Sequence, residues 1–207
     1  MIKIKSLKLL NVEDAIYGMR LPLMSHDKSD SKNINGQYVI GKNDLKLMKM
    51  LYKAGTDHRK YTRQIMVSMI LIAPMYWELE RDTYKISKTK NSSSKMHKIM
   101  SKKLTIEDFS LEDIETESEK LIVKQLLDII NSLIDYYKIC NYKDKERTFR
   151  KVIQLLPESF NYETVWTGSL ENLINMYHSR KNHKLLEWRE WCKYLEKETI
   201  FKNIVLD

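Results

Sequence analysis

A long amphipathic segment in the second half of the chain limits the folds that are available to it. Between residues 118 and 139 the apolar side chains recur at three- and four-residue spacing, as Leu126, Ile130 and Ile134 do. This period matches the turn of an α-helix, so we predict a long helix with an apolar face. Such a face has to be covered, either by other elements of the chain or by another copy of it.

The rest of the pattern combines strands with shorter helices. Strands are predicted over residues 2–10, 61–68 and 162–167, and residues 70–79 are predicted to pass from a strand into a helix at Pro74. Helices are predicted over residues 12–20, 44–54, 145–156, 169–177 and 185–197, with Asn11 and Asn43 as N-caps and Gly55 beyond a C-terminus. Residues 25–41 and 92–94 are predicted as loops, and residues 105–116 as short helical turns. No repeat or linker interrupts the chain, which favours a single α+β domain over residues 1–207 that is mostly helical.

The chain is basic, with a formal net charge of +8 and a pI near 9.2. A positive balance of this size indicates anionic partners. The densest group of cations consists of lysines in the middle of the chain, at Lys85, Lys88, Lys90, Lys95, Lys98, Lys102 and Lys103. This group is either a solvated surface or the wall of a cleft that attracts phosphate.

Several classes of protein do not fit this sequence. The longest apolar run, residues 66–76, is far shorter than the ~20 residues that cross a bilayer, and the N-terminus does not read as a signal peptide, so we expect a cytoplasmic location. Cys140 and Cys192 belong to no CxxC or Cys/His cluster, which argues against a metal site and against a thiol nucleophile. The chain has no glycine-rich dinucleotide loop and no P-loop, so nucleotides would be bound by side chains at helix and loop ends.

Two segments, read in order, resemble the signature regions of flavin-dependent thymidylate synthase. Residues 77–97 read WELERDTYKISKTKNSSSKMH, and residues 169–191 read SLENLINMYHSRKNHKLLEWREW. They are similar to the family motifs RHRxxSxNExSxRY and SLxNFLNLRxxxxAQWEIR. The opening strand and helix, the segment LMKMLYKAG and the segment YTRQIMV also follow the family order, so the resemblance covers nearly the whole chain. The DTYK and NSSSKMHK patterns are similar to those of divergent, phage-encoded members.

The resemblance implies roles for individual residues. Arg180 matches the catalytic arginine, which grips the nucleotide and stabilises negative charge on its ring. The other implied substrate-binding residues are Arg81, Asn91, Ser94, Lys95 and Tyr84, with Arg81 and Ser94 at the phosphate of dUMP. The implied cofactor-binding residues are Asn172, His183 and His97, and no metal ion is implied.

The resemblance also implies a fold, an activity and an assembly. The family fold is an antiparallel sheet flanked by long helices, and the family converts dUMP to dTMP with FAD, NADPH and methylenetetrahydrofolate. Its sites lie between the subunits of a homotetramer, for which the helix over residues 118–139 is a candidate packing element. A pyrimidine nucleotide is then the expected partner, whereas a membrane or nucleic acid is not.

Departures from the family motifs leave the activity open. Leu79 and Glu80 stand in place of the first arginine and the histidine of RHR, Met96 in place of a further arginine, and Thr56 in place of a histidine. The chain is therefore either an enzyme of this kind or a catalytically altered protein of the same fold, which binds a nucleotide or a host protein as a phage accessory or counter-defence factor. A third alternative is an unrelated basic protein that binds nucleic acid through its lysines.

Each candidate residue also has a structural interpretation. Arg180 can bond the carbonyl groups at a helix end. Arg81 can form an ion pair with Asp82, and Ser94 can belong to a solvated loop. His97 and His183 can be structural, and Trp188 and Trp191 can anchor the core.

Overall fold

The computed structural model describes residues 1–206, and of Gln37 only the backbone, so Asp207 at the end of the predicted domain lies outside the described residues. The strands are β1 (Lys3–Leu10), β2 (Lys32–Ile34), β3 (Gln37–Val39), β4 (Met66–Pro74), β5 (Thr89–Ser92) and β6 (Asn161–Ser169). The helices are α1 (Val12–Arg20), α2 (Lys42–Lys53), α3 (Tyr61–Gln64), α4 (Met75–Arg81), α5 (Lys95–Lys98), α6 (Glu117–Ile139), α7 (Tyr142–Leu155), α8 (Leu170–Arg180), α9 (Leu186–Leu195) and α10 (Thr199–Val205). Short 3-10 turns lie at Leu21–Leu23, His26–Lys28 and Ile106–Asp108. No helix within residues 1–206 has both the length and the apolar character that crossing a bilayer requires.

The main sheet contains four antiparallel strands in the order β1-β4-β6-β5. Along β4 every second side chain is buried, and Val67, Met69 and Leu71 are at most 1% exposed. This alternation is the period of a strand, whose successive side chains point to opposite faces. The strand ends at Pro74, which cannot donate a ladder hydrogen bond, and α4 begins directly after it. The predicted class, a mostly helical α+β fold with an antiparallel sheet, is confirmed.

The chain divides into two compact units, and the first unit comprises residues 1–3, 71–83 and 91–164. In it α6 packs against α7, and Ile130, Ile134 and Val152 are fully buried in its apolar core. The helix α6 is the long amphipathic segment seen in the sequence, and α7 stops shortly before Pro157, as predicted.

The second unit comprises residues 4–70, residues 84–90 and the chain from residue 165 onward. In it α3 packs against α1 and α8, α9 packs against α8, and α10 packs against α2. Trp188 and Trp191 are at most 1% exposed, which agrees with their interpretation as core anchors. All four strands of the main sheet contribute residues to both units, and the single domain over residues 1–207 stays a prediction.

The loop predicted over residues 25–41 is wrong in part, because it contains a β-hairpin. Strands β2 and β3 pair antiparallel, with Asn33 opposite Tyr38. The turn between them uses Asn35 and Gly36, which have φ angles of 51° and 80°. Asn-Gly is the sequence that favours this left-handed turn, and the polar composition of the stretch concealed it.

The strand predicted over residues 61–68 is wrong in its first half. Residues Tyr61–Gln64 form the short helix α3, which precedes β4. Buried tertiary hydrogen bonds outweigh the β-propensity of this stretch. The Tyr61 hydroxyl donates to the Met48 carbonyl at 2.9 Å, and the Thr62 hydroxyl donates to the Glu171 carboxylate at 2.6 Å.

Helix ends differ from the predictions in several places. The N-cap predicted at Asn43 is wrong, because α2 begins at Lys42 and its N-cap position is Gly41. Asn11 does not cap α1, because its φ is 61° and its side-chain amide donates instead to the Gln64 carbonyl at 3.2 Å. Arg180 lies beyond the predicted helix end at residue 177, whereas in the structure it is the last residue of α8. Helix α10 was not predicted, and Phe201 and Ile204 bury its apolar side.

Candidate functional site

Helix α8 begins at a turn that leaves no room for a side chain at Gly168. A Cβ atom there would lie 2.5 Å from the ring of Trp166, so only glycine fits. Ser169 then caps the helix. Its hydroxyl accepts from the Asn172 backbone N–H, and the Asn172 side-chain oxygen accepts from the Ser169 N–H at 2.9 Å. The Asn172 amide nitrogen donates to the Ile86 carbonyl at 3.0 Å, which fixes the loop containing Ile86 against the start of α8.

Arg180, at the other end of α8, lies between two aromatic rings. Its Nε donates to the Tyr84 hydroxyl at 2.9 Å, and its guanidinium carbon lies 5.0 Å from the centre of the Trp188 ring. The Tyr84 and Trp188 rings contact each other edge to face, with centroids 6.4 Å apart. The tryptophan is buried, whereas Arg180 and Tyr84 are partly exposed. The aromatic contacts therefore hold a cation in a fixed orientation at the surface of the second unit.

His183 completes this cluster from the turn that follows α8. Its ring lies 6.4 Å from the Trp188 ring, edge to face. Its Nδ1 accepts a hydrogen bond from the Leu185 N–H at 3.2 Å, which places the proton of the neutral ring on Nε2. Arg189 donates to the carbonyl of His183 at 3.0 Å and so supports the turn.

The chemistry of the cluster suits a planar, electron-rich ligand. A guanidinium offers parallel N–H donors to adjacent oxygens, and it can stabilise negative charge that develops on a ring carbonyl. An aromatic ring such as Tyr84 can stack on a base or a flavin. Lys85, Lys88 and Lys90 follow Tyr84 in the same segment and add positive charge.

Arg81 lies in the first unit, at the end of α4, and is 1% exposed. Its Nη2 lies 2.7 Å from both carboxylate oxygens of Glu78, and it also donates to the Thr164 hydroxyl at 3.0 Å. The guanidinium carbon lies 5.2 Å from the centre of the Trp77 ring. The carboxylate that pairs with Arg81 here is that of Glu78, because the two residues are three apart on one helix. Burial in a paired network favours a supporting role for Arg81 over a direct contact with phosphate.

The residues around Ser94 form a short, ordered stretch in the first unit, so the loop predicted over residues 92–94 is wrong in part. Residues Thr89–Ser92 form β5, and the Ser93 N–H donates to the Glu163 carbonyl at 2.8 Å. Ser94 caps α5, because its hydroxyl accepts from the His97 backbone N–H at 3.3 Å. The Ser94 hydroxyl is thus engaged within the chain, and α5 is a single helical turn of four residues.

Lys95 is the least exposed cation of this stretch. Its ammonium group lies 3.0 Å from the sulfur of Met75. Burial lowers the pKa of Lys95, and the carboxylate of Glu158 opposes that shift. Asn91 and His97 are exposed on either side of it.

The predicted site residues thus fall into two groups. Arg180, Tyr84, Asn172 and His183 belong to the second unit, where Arg180, Tyr84 and His183 share the contacts around Trp188 and Asn172 lies at the opposite end of α8. Arg81, Asn91, Ser94, Lys95 and His97 belong to the first unit. Their roles in binding stay predictions.

A polar cluster on α8 was not foreseen from the sequence. Glu171 accepts from Arg59 at 2.8 Å and from Thr62, and the Tyr52 hydroxyl is 2.9 Å from Nε2 of His178. Burial, followed by the charges of Lys181 and Arg59, lowers the pKa of His178. No motif marks these residues, because they come from separate parts of the chain. The Arg180 cluster, by contrast, joins residues that the signature segments already indicate.

Comparison with known proteins identifies the fold. No family model matches the chain, and no curated protein matches it in sequence. A crystal structure of thymidylate synthase X (ThyX) from Helicobacter pylori with FAD and dUMP matches with a TM-score of 0.70 and 14% identity, covering 100% of both chains. A second structure, of flavin-dependent thymidylate synthase ThyX from the same organism complexed with FAD and dUMP, matches with a TM-score of 0.66 and 14% identity, covering 99% of both chains. The chain therefore has the fold that the resemblance implied.

Proposed function

We propose that this chain is a flavin-dependent pyrimidine nucleotide enzyme that methylates dUMP to dTMP. The supporting observation is the Arg180 cluster, a guanidinium held between Tyr84 and Trp188. It occurs in a chain whose fold is shared, over its full length, with structures that contain FAD and dUMP. The signature segments that carry the resemblance contain the same arginine and tyrosine.

The residues present fit the groups that this reaction needs. FAD and dUMP are both aromatic and anionic, and the cluster offers aromatic rings, a guanidinium and nearby lysines. In the family chemistry FAD, once reduced by NADPH, supplies a hydride, and methylenetetrahydrofolate supplies the carbon. The chain itself would orient the pyrimidine. Arg180 would donate to its carbonyl oxygen and stabilise the negative charge on the ring that makes C5 nucleophilic towards the carbon donor.

The test is turnover by the purified chain with FAD, NADPH, methylenetetrahydrofolate and dUMP, measured as dTMP by chromatography. Arg180→Ala should lower turnover by about 10²–10³-fold, as the removal of a charge-stabilising donor does elsewhere. Arg63→Ala is the matched control, because Arg63 is an exposed arginine of the same unit that donates to the Thr56 carbonyl. Turnover that survives Arg180→Ala at the level of the control would overturn the assignment.

A nucleotide-binding protein without turnover is the second candidate. It is favoured by the pairing of Arg81 with Glu78 and by Leu79 and Glu80 at positions where the family has an arginine and a histidine. Isothermal titration with dUMP and the visible absorbance of added FAD distinguish the two. Binding of dUMP without dTMP formation supports this second candidate.

A further inference from the structure

The outer face of α7 carries the strongest concentration of unpaired positive charge in the first unit. It forms a groove of about 410 Å³ lined only by side chains of this helix: Lys143, Glu146, Arg147, Arg150, Lys151 and Gln154. All of them are exposed, and four are cations against the single carboxylate of Glu146.

The spacing of these residues places them in a row along one side of the helix. Lys143, Arg147, Arg150 and Gln154 are separated by four, three and four positions, which keeps them on one side of a helix. At 1.5 Å per residue the row is roughly 16 Å long. The opposite side of α7 is its buried side, with Val152 in the apolar core.

The four cations have no carboxylate partner among residues 1–206. Other lysines of the first unit differ in this respect. Lys102 pairs with Asp108 at 2.6 Å, Lys103 with Asp135 at 2.7 Å and Lys120 with Glu117 at 2.9 Å. The positive charge on the α7 face is therefore not neutralised within the chain and can attract an anionic partner.

The composition of the face selects the kind of partner. A docking surface for a protein has an apolar centre with a polar rim, and no apolar residue lines this groove. Surfaces that bind nucleic acid are more polar and much more positively charged. Two guanidinium groups three positions apart suit phosphate oxygens, to which arginine donates in parallel pairs.

We propose that the outer face of α7 binds the phosphate backbone of nucleic acid without reading its sequence. The lysines of residues 85–103 are a different group, and the inference does not rest on the chemistry of Arg180. With four cations in contact, the logarithm of the binding constant for a single strand should fall with the logarithm of salt concentration with a slope of about −3.

The test is fluorescence anisotropy with labelled single-stranded and duplex oligonucleotides of mixed sequence, at several salt concentrations. Arg147→Ala/Arg150→Ala should weaken binding at least about tenfold and reduce the salt slope by about half. Lys42→Ala/Lys46→Ala is the matched control, since it removes the same charge from exposed lysines of α2. Circular dichroism checks that both variants are folded.

The possible outcomes distinguish a nucleic-acid site on α7 from electrostatic attraction by the net charge of the chain. A loss confined to the α7 variant supports the proposal, and Lys143→Ala/Lys151→Ala should reproduce it if the arginine variant folds poorly. Equal losses in the α7 and α2 variants would show attraction by net charge alone and overturn it. Wild-type protein that binds neither oligonucleotide, or that binds labelled polyglutamate as tightly, would overturn it as well.

Discussion

Arg81 is a charged residue almost without access to water. Its side chain and that of Glu78 are 2% and 0% exposed, and the two groups are in direct contact. Removing one partner of a buried pair leaves an uncompensated charge. We expect Arg81→Met to lower the free energy of unfolding by about 3–5 kcal/mol, measured by urea denaturation.

A second variant separates this structural role from substrate binding. Arg81→Met/Glu78→Leu removes both charges and should recover most of the lost stability, because no buried charge remains. If Arg81→Met instead unfolds like the wild type but no longer binds dUMP, the residue is a ligand of the nucleotide and the pair with Glu78 is secondary.

The two cysteines should differ sharply in reactivity. Burial raises the pKa of Cys192 to about 12, and the carboxylate of Glu196 acts in the same direction. Cys140 is only partly buried. Because the thiolate is the reactive form, we expect a disulfide reagent at neutral pH to label one thiol per folded chain and two in urea. Cys140→Ser should abolish the native labelling, and fast labelling of that variant would contradict the burial of Cys192.

The sequence indicated some residues of the candidate site, but not the contacts between them, for a physical reason. Arg180 and Tyr84 were both selected from the signature segments, but their hydrogen bond joins positions 96 apart. Local patterns do not encode such a contact. By contrast, the pairing of Arg81 with Glu78 becomes predictable once the helix predicted to end at residue 79 is extended by two residues, because the two side chains are then three apart on one helix.

At the scale of elements, one buried carboxylate ties the hairpin segment to α2. Asp44, fully buried, accepts from Arg20 at 2.6 Å and from the hydroxyl groups of Ser29 and Ser31. Burial alone would raise the pKa of Asp44, but the hydrogen bonds from Ser31, Ser29 and Arg20 outweigh it, and the pKa is lowered.

The sign of this shift predicts a pH dependence. A carboxylate with a lowered pKa in the folded state stabilises the fold above its unfolded pKa, and that stability is lost as the pH falls through the folded value. We expect the free energy of unfolding to decrease below about pH 4, the ordinary range of an aspartate. Asp44→Asn should be less stable at neutral pH and should lose part of this acid dependence. An unchanged urea midpoint in Asp44→Asn would contradict the assignment.

Elements that are marked in the sequence by apolar periodicity or capping residues were predictable, and elements without such a pattern were not. The apolar period defined α6, and the capping box of Thr116 and Glu119 fixes its start. The turn at Asn35 and Gly36 also has a local signal, but its flanking strands are only three residues each, too short to show an alternation of apolar and polar side chains. The strand β5 has no apolar alternation at all, and its pairing in the sheet decides its conformation.

For the whole molecule, the order of the segments was more informative than their periodicity. Composition and periodicity indicated a mostly helical α+β chain, and the resemblance added the antiparallel sheet. The strand order β1-β4-β6-β5 could not be read from local pattern, because β4 pairs with strands from distant parts of the chain. Non-local pairing of this kind depends on contacts between segments that are far apart in the sequence.

The exposed surface of helix α6 predicts that the chain associates with copies of itself. Besides its buried side, the helix exposes four large apolar side chains, since Leu121, Ile122, Ile129 and Ile139 are 54%, 65%, 54% and 83% exposed. An accumulation of exposed apolar side chains on one helix favours a protein interface there. We expect light scattering to give four times the chain mass of 24.8 kDa. Ile122→Glu/Ile129→Glu should lower that mass, because association would bury two carboxylates without partners.

The control for assembly is Leu155→Glu, which makes the same kind of change at a 42% exposed position on α7 and should leave the mass unchanged. A monomeric wild type would contradict the prediction directly. If the site is completed between subunits, as the resemblance implies, the α6 variant should lose dTMP formation together with its assembly. A dissociated variant that still forms dTMP at the wild-type rate would show that one chain holds the whole site, and the arginine between Tyr84 and Trp188 would then act without a second subunit.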